Sequence, residues 1–158
     1  MQLTVYVETS IISYLTSRPS RDIITAAHQQ LTRQWWETQR SRYALYGSEA
    51  MLEEARAGDP EAVAQELPRL DPNEAVAVLA EALLMPGLLP PKAAIDALHL
   101  ALATVHGMDY LLTWNCTHLA NAALRSRLEA VCRAQGYEPP IICTPEELGG
   151  EGNEDPGC

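Results

Sequence analysis

The sequence predicts an α/β domain in which a small parallel β-sheet is sandwiched between helices, a three-layer α/β/α arrangement. Three observations predict it. Four short runs rich in β-branched, aromatic and aliphatic residues alternate with helical stretches, the order that builds a parallel sheet through crossover helices. The 158 residues are enough for one domain with its own core and too few for two. Apolar residues make up 47% of the chain, a globular rather than a disordered composition.

Taken in order, residues 3–7, Leu-Thr-Val-Tyr-Val, read as a short buried strand. Glu8-Thr9-Ser10 then offers cap side chains to a helix beginning near Ile11. A longer helix is expected from about Ile23 to Arg40, with Ile24, Ala27, Leu31 and Trp35 on one face. Tyr43-Ala44-Leu45-Tyr46 is the second strand, and Gly47-Ser48 turns the chain into a helix from about Glu49 to Ala57 that Gly58 stops. Asp59-Pro60-Glu61 opens another helix with proline at its first position. Asp71-Pro72-Asn73-Glu74 repeats the device, with Glu74 at the third helical position as in a capping box. Pro90-Pro91 starts a helix that runs through His106 and closes at Gly107. Asp109 to Thr113 is the third strand, a helical stretch leads from there to Gly136, and Pro140 to Cys143 is the last strand.

One domain over residues 1–148 follows, with an acidic, Gly-rich tail over 149–158 that is expected to be disordered. No apolar run is long enough to span a membrane, and the start of the chain lacks the basic and apolar regions of a signal peptide, so the expected location is the cytoplasm. Cys116, Cys132, Cys143 and Cys158 lack the spacing of a zinc site and read as free thiols, three in the core and one on the tail. The net charge of −10 runs against a nucleic-acid partner, which ordinarily meets a basic surface. An acidic metal site would account for part of it, since a divalent cation offsets that charge in use.

Ligands of open parallel sheets bind beyond the carboxyl ends of the strands. The first strand delivers Glu8 there, with Thr9 and Ser10 just beyond; the second delivers Ser48, with Glu54 on the helix that follows; the third delivers Thr113, Trp114 and Asn115. Asp96 lies one turn into a helix whose start returns to the same edge. Carboxylates gathered without lysine or arginine repel one another unless a cation joins them. Hard oxygen ligands suit Mg²⁺ or Mn²⁺, which bridge to phosphate and lower the pKa of a bound water. Hydrolysis of a phosphodiester in RNA or DNA is the chemistry this set suggests.

Here the sequence resembles a known family. Val5-Tyr6-Val7-Glu8-Thr9-Ser10-Ile11-Ile12-Ser13-Tyr14-Leu15 is similar to the N-terminal motif of PIN domains, and Ser48-Glu49 through Glu53-Glu54 to their second motif. Asp96-Ala97-Leu98-His99 is similar to the third and Leu111-Leu112-Thr113-Trp114-Asn115 to the fourth, in the family's order from about residue 3 to 148. The resemblance implies a Mg²⁺- or Mn²⁺-dependent endoribonuclease, the VapC-like toxin of a toxin–antitoxin pair, with an RNA substrate, an antitoxin partner and a homodimeric state. Carried over by position, it implies Glu8, Glu54 and Asp96 as metal ligands, Asn115 beside them in the catalytic set, and Thr9, Ser48 and Thr113 in support. The chain departs from the family at two places: Glu8 replaces the usual aspartate, and Asn115 stands at the fourth acidic position with a carbonyl oxygen but no charge.

Each residue also has a plainer reading. Glu8 could be a solvated helix-start acid, and Asp96 could pair with Lys92 across one turn. Glu54 and Glu49 are alternatives for the second acid, because spacing does not separate them. His99 shares a helix face with Asp96, yet a histidine there is more often a satisfied structural group than a ligand. His118, Arg18 and Arg21 are candidates for contacting phosphate, set against ordinary surface roles. Of the adjacent Trp35 and Trp36, one is expected in the core and the other at a dimer contact. Two further functions compete: a PIN-like module that binds RNA or a protein without cutting, for which Asn115 and the acidic balance speak, and phosphatase-like action on a small ester.

Overall fold

The computed structural model describes residues 2–55, 67–85 and 87–149. Four parallel strands form one sheet in the order β2-β1-β3-β4, with β1 at Leu3–Val7, β2 at Tyr43–Tyr46, β3 at Tyr110–Leu112 and β4 at Ile141–Cys143. Among the described residues the connecting helices are α1 (Thr9–Thr16), α2 (Ile23–Gln39), α3 (Glu49–Ala55), α4 (Glu74–Leu83), α5 (Ala94–Val105) and α6 (Ala122–Ala134). The three-layer α/β/α class expected from the sequence is the observed one. The expected helix at Asp59-Pro60-Glu61, the end of the preceding helix at Ala57 with its stop at Gly58, and the tail beyond Gly149 lie outside the described residues.

Alternation along β1 sorts the layers, because successive strand side chains point to opposite faces. Val5 and Val7 join Ile11 and Ile12 of α1, Trp35 of α2 and Met51 of α3 in one core. Tyr6 points the other way, into a second core with Leu79 of α4, Leu100 of α5 and Leu128 of α6. Both cores are closed to water, with Val5, Tyr6, Val7, Leu100 and Leu128 fully buried. Gly107 and Gly136 end α5 and α6 at positive φ, the backbone that a helix C-terminus requires and glycine adopts without strain. No described helix is long and apolar enough to cross a membrane.

Three local expectations are corrected. The buried face of α2 is not Ile24 and Ala27, which are exposed, but Gln29, Thr32 and Trp35. The polar members can be buried because they are bonded: Gln29 ties down Ser17, Arg18 and Ser20, and Thr32 receives the indole N–H of Trp114 at 2.7 Å. The cap of α4 is Asn73, whose Oδ1 accepts from Val76 N at 3.1 Å, so Glu74 is the first helical residue and no capping box forms. Cys116 is exposed, whereas Cys132 and Cys143 are the buried small hydrophobes. Pro90-Pro91 opens a short 3₁₀ turn, Pro91–Ala93, before α5 begins. Trp35 is buried, its indole N–H on Leu148 O, and Trp36 is half-buried with the Arg40 guanidinium 5.3 Å from its ring.

Candidate metal centre

The site is assembled at the carboxyl edge of the sheet. Glu8 follows β1 directly and its backbone N–H still pairs with Leu112 O of β3. Its side chain caps α1 by accepting from Ser10 N at 3.0 Å, and it also accepts from the hydroxyls of Ser10 and Thr113. All three bonds fall on Oε1. Those two hydroxyls in turn accept backbone N–H groups, Trp114 N on Ser10 Oγ and Asn115 N on Thr113 Oγ1. The loop after β3 and the start of α1 are therefore joined through one carboxylate. The helix-start reading of Glu8 is right about the cap, but Glu8 is only 4% exposed, so it is not a solvated acid.

Around this carboxylate the structure gathers Glu54 of α3 and His99 of α5, with one ligand atom from each of Glu8, Glu54 and His99 lying within 4.8 Å of the others. His99 is fully buried. Its Nε2 faces Glu54 Oε1 at 3.0 Å and Thr9 Oγ1 at 3.3 Å, and its Nδ1 shares a 2.6 Å hydrogen bond with Tyr6 Oη. Tyr6 Oη bonds onward to Ser48 Oγ at 2.7 Å, and Ser48 Oγ caps α3 by accepting from Met51 N. The His99 bond holds the Glu54 carboxyl below its ordinary value against the opposing effect of partial burial, with Thr9 assisting. Burial pushes the Tyr6 phenol well above its ordinary range, and the charges of Glu8 and Glu54 add to that.

Asp96, expected beside Glu8 and Glu54, is not in the 4.8 Å group. Each of its oxygens has one partner, Asn115 Nδ2 at Oδ1 and His118 Nδ1 at Oδ2, both at 2.8 Å. It does not pair with Lys92 either. Asp96 still belongs to the same network, since Asn115 leads through Thr113 to Glu8. The physical reason is the position of its partners: the loop after β3 folds back over the start of α5, and Asn115 Oδ1 accepts His118 N at 3.1 Å, presenting amide and imidazole together to the acid.

Glu49, the alternative second acid, points away and pairs with Arg69 in a largely exposed contact. Thr9, Ser48 and Thr113 all contact the site as expected. Arg18 and Arg21 are exposed on the loop between α1 and α2 and bond to none of the site residues. His118 is drawn in, but toward Asp96 rather than into the open. Sequence reasoning passed over Tyr6 and ranked His99 as structural. The available signal was the pairing of a polar ring inside an apolar strand with a histidine inside an apolar helix, since each then needs a partner.

The donor chemistry fits a divalent cation. Two carboxylates, one almost wholly buried, approach each other, and among the described residues neither pairs with a lysine or arginine. Such a pair is stable when a cation or proton lies between. No protein-family model matches the chain, and no curated protein matches it either.

Proposed function

We propose that the protein is a metal-dependent endoribonuclease of the PIN type, acting as the VapC-like toxin of a toxin–antitoxin pair on RNA in the cytoplasm, as a homodimer restrained by an antitoxin. The observation that carries the reading is the convergence of Glu8, Glu54 and His99 within 4.8 Å at the sheet edge, with no lysine or arginine paired to either acid among the described residues. The motif resemblance supports it independently, because its first two acidic positions are the two that meet.

In this reading Glu8 and Glu54 hold Mg²⁺ or Mn²⁺. The ion supplies Lewis acidity toward a phosphate oxygen and lowers the pKa of a bound water. Ser10 and Thr113 fix Glu8 through Oε1, and His99 and Thr9 fix Glu54. Asp96 acts at one remove by orienting His118 and Asn115 next to the site, and His118 is the group that would meet phosphate. The same occupancy of Asp96 favours a second reading, in which the pocket binds RNA or a protein without cutting.

An RNA cleavage assay with added Mn²⁺ or Mg²⁺ separates them. Wild type should cut structured RNA only with the ion, and Glu8→Gln or Glu54→Gln should abolish it. Asp96→Asn should lose rate while keeping ion binding. Cleavage that persists in Glu8→Gln, or that needs no ion, removes the proposal; ion binding without cleavage leaves the second reading.

A further inference from the structure

We infer that His99 is a nitrogen ligand of this site, with its ring set by a buried Tyr6–Ser48 pair, so that the pocket selects a transition metal, Zn²⁺ or Mn²⁺, over Mg²⁺. The inference rests on the reading above only in taking the pocket as one for a divalent ion.

Three observations carry it. Nε2 of His99 faces Glu54 Oε1 at 3.0 Å, and the 4.8 Å group to which His99 belongs can draw together onto one ion with bonds of about 2.0–2.2 Å by movement of the exposed Glu54 side chain. The ring is fully buried and cannot turn to water for a partner. Its other nitrogen is occupied by Tyr6 Oη, which is itself bonded to Ser48 Oγ. A hydrogen bond at the far nitrogen is what fixes the tautomer and orientation of a ligating histidine.

The tautomers distinguish the two states of the site. In the metal-free chain the Glu54 carboxylate can only accept, so the 3.0 Å contact assigns the ring proton to Nε2. With an ion present, Nε2 must be bare. The ring proton then sits on Nδ1 and is donated to Tyr6 Oη, whose own O–H turns to donate to Ser48 Oγ while keeping its proton. Ser48 has room for it, since a hydroxyl oxygen has two lone pairs and only one is used, by Met51 N. Both ring nitrogens and the Tyr6 hydroxyl therefore keep a partner in both states, and the ring gains and loses no net proton. An imidazole nitrogen suits Fe²⁺ or Zn²⁺ best, adds to carboxylates on Mn²⁺, and contributes little to Mg²⁺, which prefers oxygen throughout.

The test uses the full chain, stripped of metal and labelled with ¹⁵N-histidine, titrated with diamagnetic Zn²⁺ and followed by long-range ¹H–¹⁵N correlation. His99 is assigned by elimination with His28→Gln, His106→Gln and His118→Gln. The expected result is that the His99 proton moves from Nε2 to Nδ1 as Zn²⁺ binds. Calorimetry with Mn²⁺ and Mg²⁺ gives the second arm. Tyr6→Phe should weaken Mn²⁺ by about 10- to 100-fold, the ordinary loss when a partner of a ligating histidine is removed, and leave Mg²⁺ within about twofold. Zn²⁺ binding that leaves the His99 tautomer unchanged overturns the inference, and so does an equal loss of Mn²⁺ and Mg²⁺ affinity in Tyr6→Phe; the ribonuclease reading survives both results. Failure of every ion to bind removes both.

Discussion

Glu54 is the ligand candidate with one side open to water, and its bond to His99 sets how the fold responds to acid. A carboxyl held below its unfolded value contributes stability that is fully present above the unfolded value, near pH 4.3 for glutamate, and that is lost as pH falls through the folded one. Thermal melts between pH 7 and pH 3 should therefore show wild type losing more stability toward acid than Glu54→Gln; parallel curves would contradict the direction of this shift. Cysteine chemistry gives a second prediction at this scale. Burial and the nearby Glu147 push the Cys143 thiol up to about 12, and Cys132 is raised by burial as well, so neither offers thiolate near neutral pH. Iodoacetamide followed by peptide mass mapping should modify the exposed Cys116 in the folded chain and reach Cys132 and Cys143 only in denaturant. The site was partly legible from residues alone. Glu8 stood out because an acid that ends an apolar strand has little reason to be there otherwise. His99 did not, because its partners at positions 6, 9 and 54 come together only in three dimensions. Asp96 was legible as an acid in need of a partner, while the partner was chosen by a loop 19 to 22 residues downstream.

Among the elements, the strands were the easiest to read and the helix faces the hardest. β1 and β2 fall on the expected residues because alternation and β-branching act locally, and the stops at Gly107 and Gly136 follow from local backbone sterics. The faces of α2 were misread because the buried stripe includes Gln29 and Thr32, whose burial depends on loop and indole partners that periodicity does not reveal. The start of α4 makes that difference measurable. Asn73 donates nothing to the core, yet it caps Val76 N, so Asn73→Ala should lower unfolding free energy by about 1 kcal/mol in urea titrations. Asp71, where the pattern placed the cap, uses its backbone oxygen toward His106 and keeps that bond as alanine. Asp71→Ala should cost clearly less, and the reverse order would return the cap to Asp71. Trp114 joins α2 to the site loop in the same manner, stacked on His28 at 4.0 Å and bonded to Thr32, between the residues that hold Glu8 and Asp96.

At the scale of the whole molecule the governing quantity is charge. A chain of net charge −10 repels itself, so any salt relieves some of that repulsion by screening. Stabilisation by a divalent ion is therefore evidence for the site only if it exceeds what matched monovalent salt achieves and if it disappears with the ligand. A bound ion stabilises by mass action, about 2.7 kcal/mol at a free concentration a hundredfold above its dissociation constant. For a domain of this size that is a rise in melting temperature of about 5–10 °C. Millimolar Mn²⁺ should produce a shift of that order in wild type, whereas sodium chloride of equal ionic strength should move wild type and Glu8→Gln together by a smaller amount. In Glu8→Gln the Mn²⁺ shift should collapse to the sodium chloride value, because only the screening part remains. Differential scanning calorimetry of both proteins in the two salts provides the comparison. Equal shifts in wild type and Glu8→Gln would assign the effect to the diffuse charge of the surface and leave a proton, not a cation, as what holds the two carboxylates together.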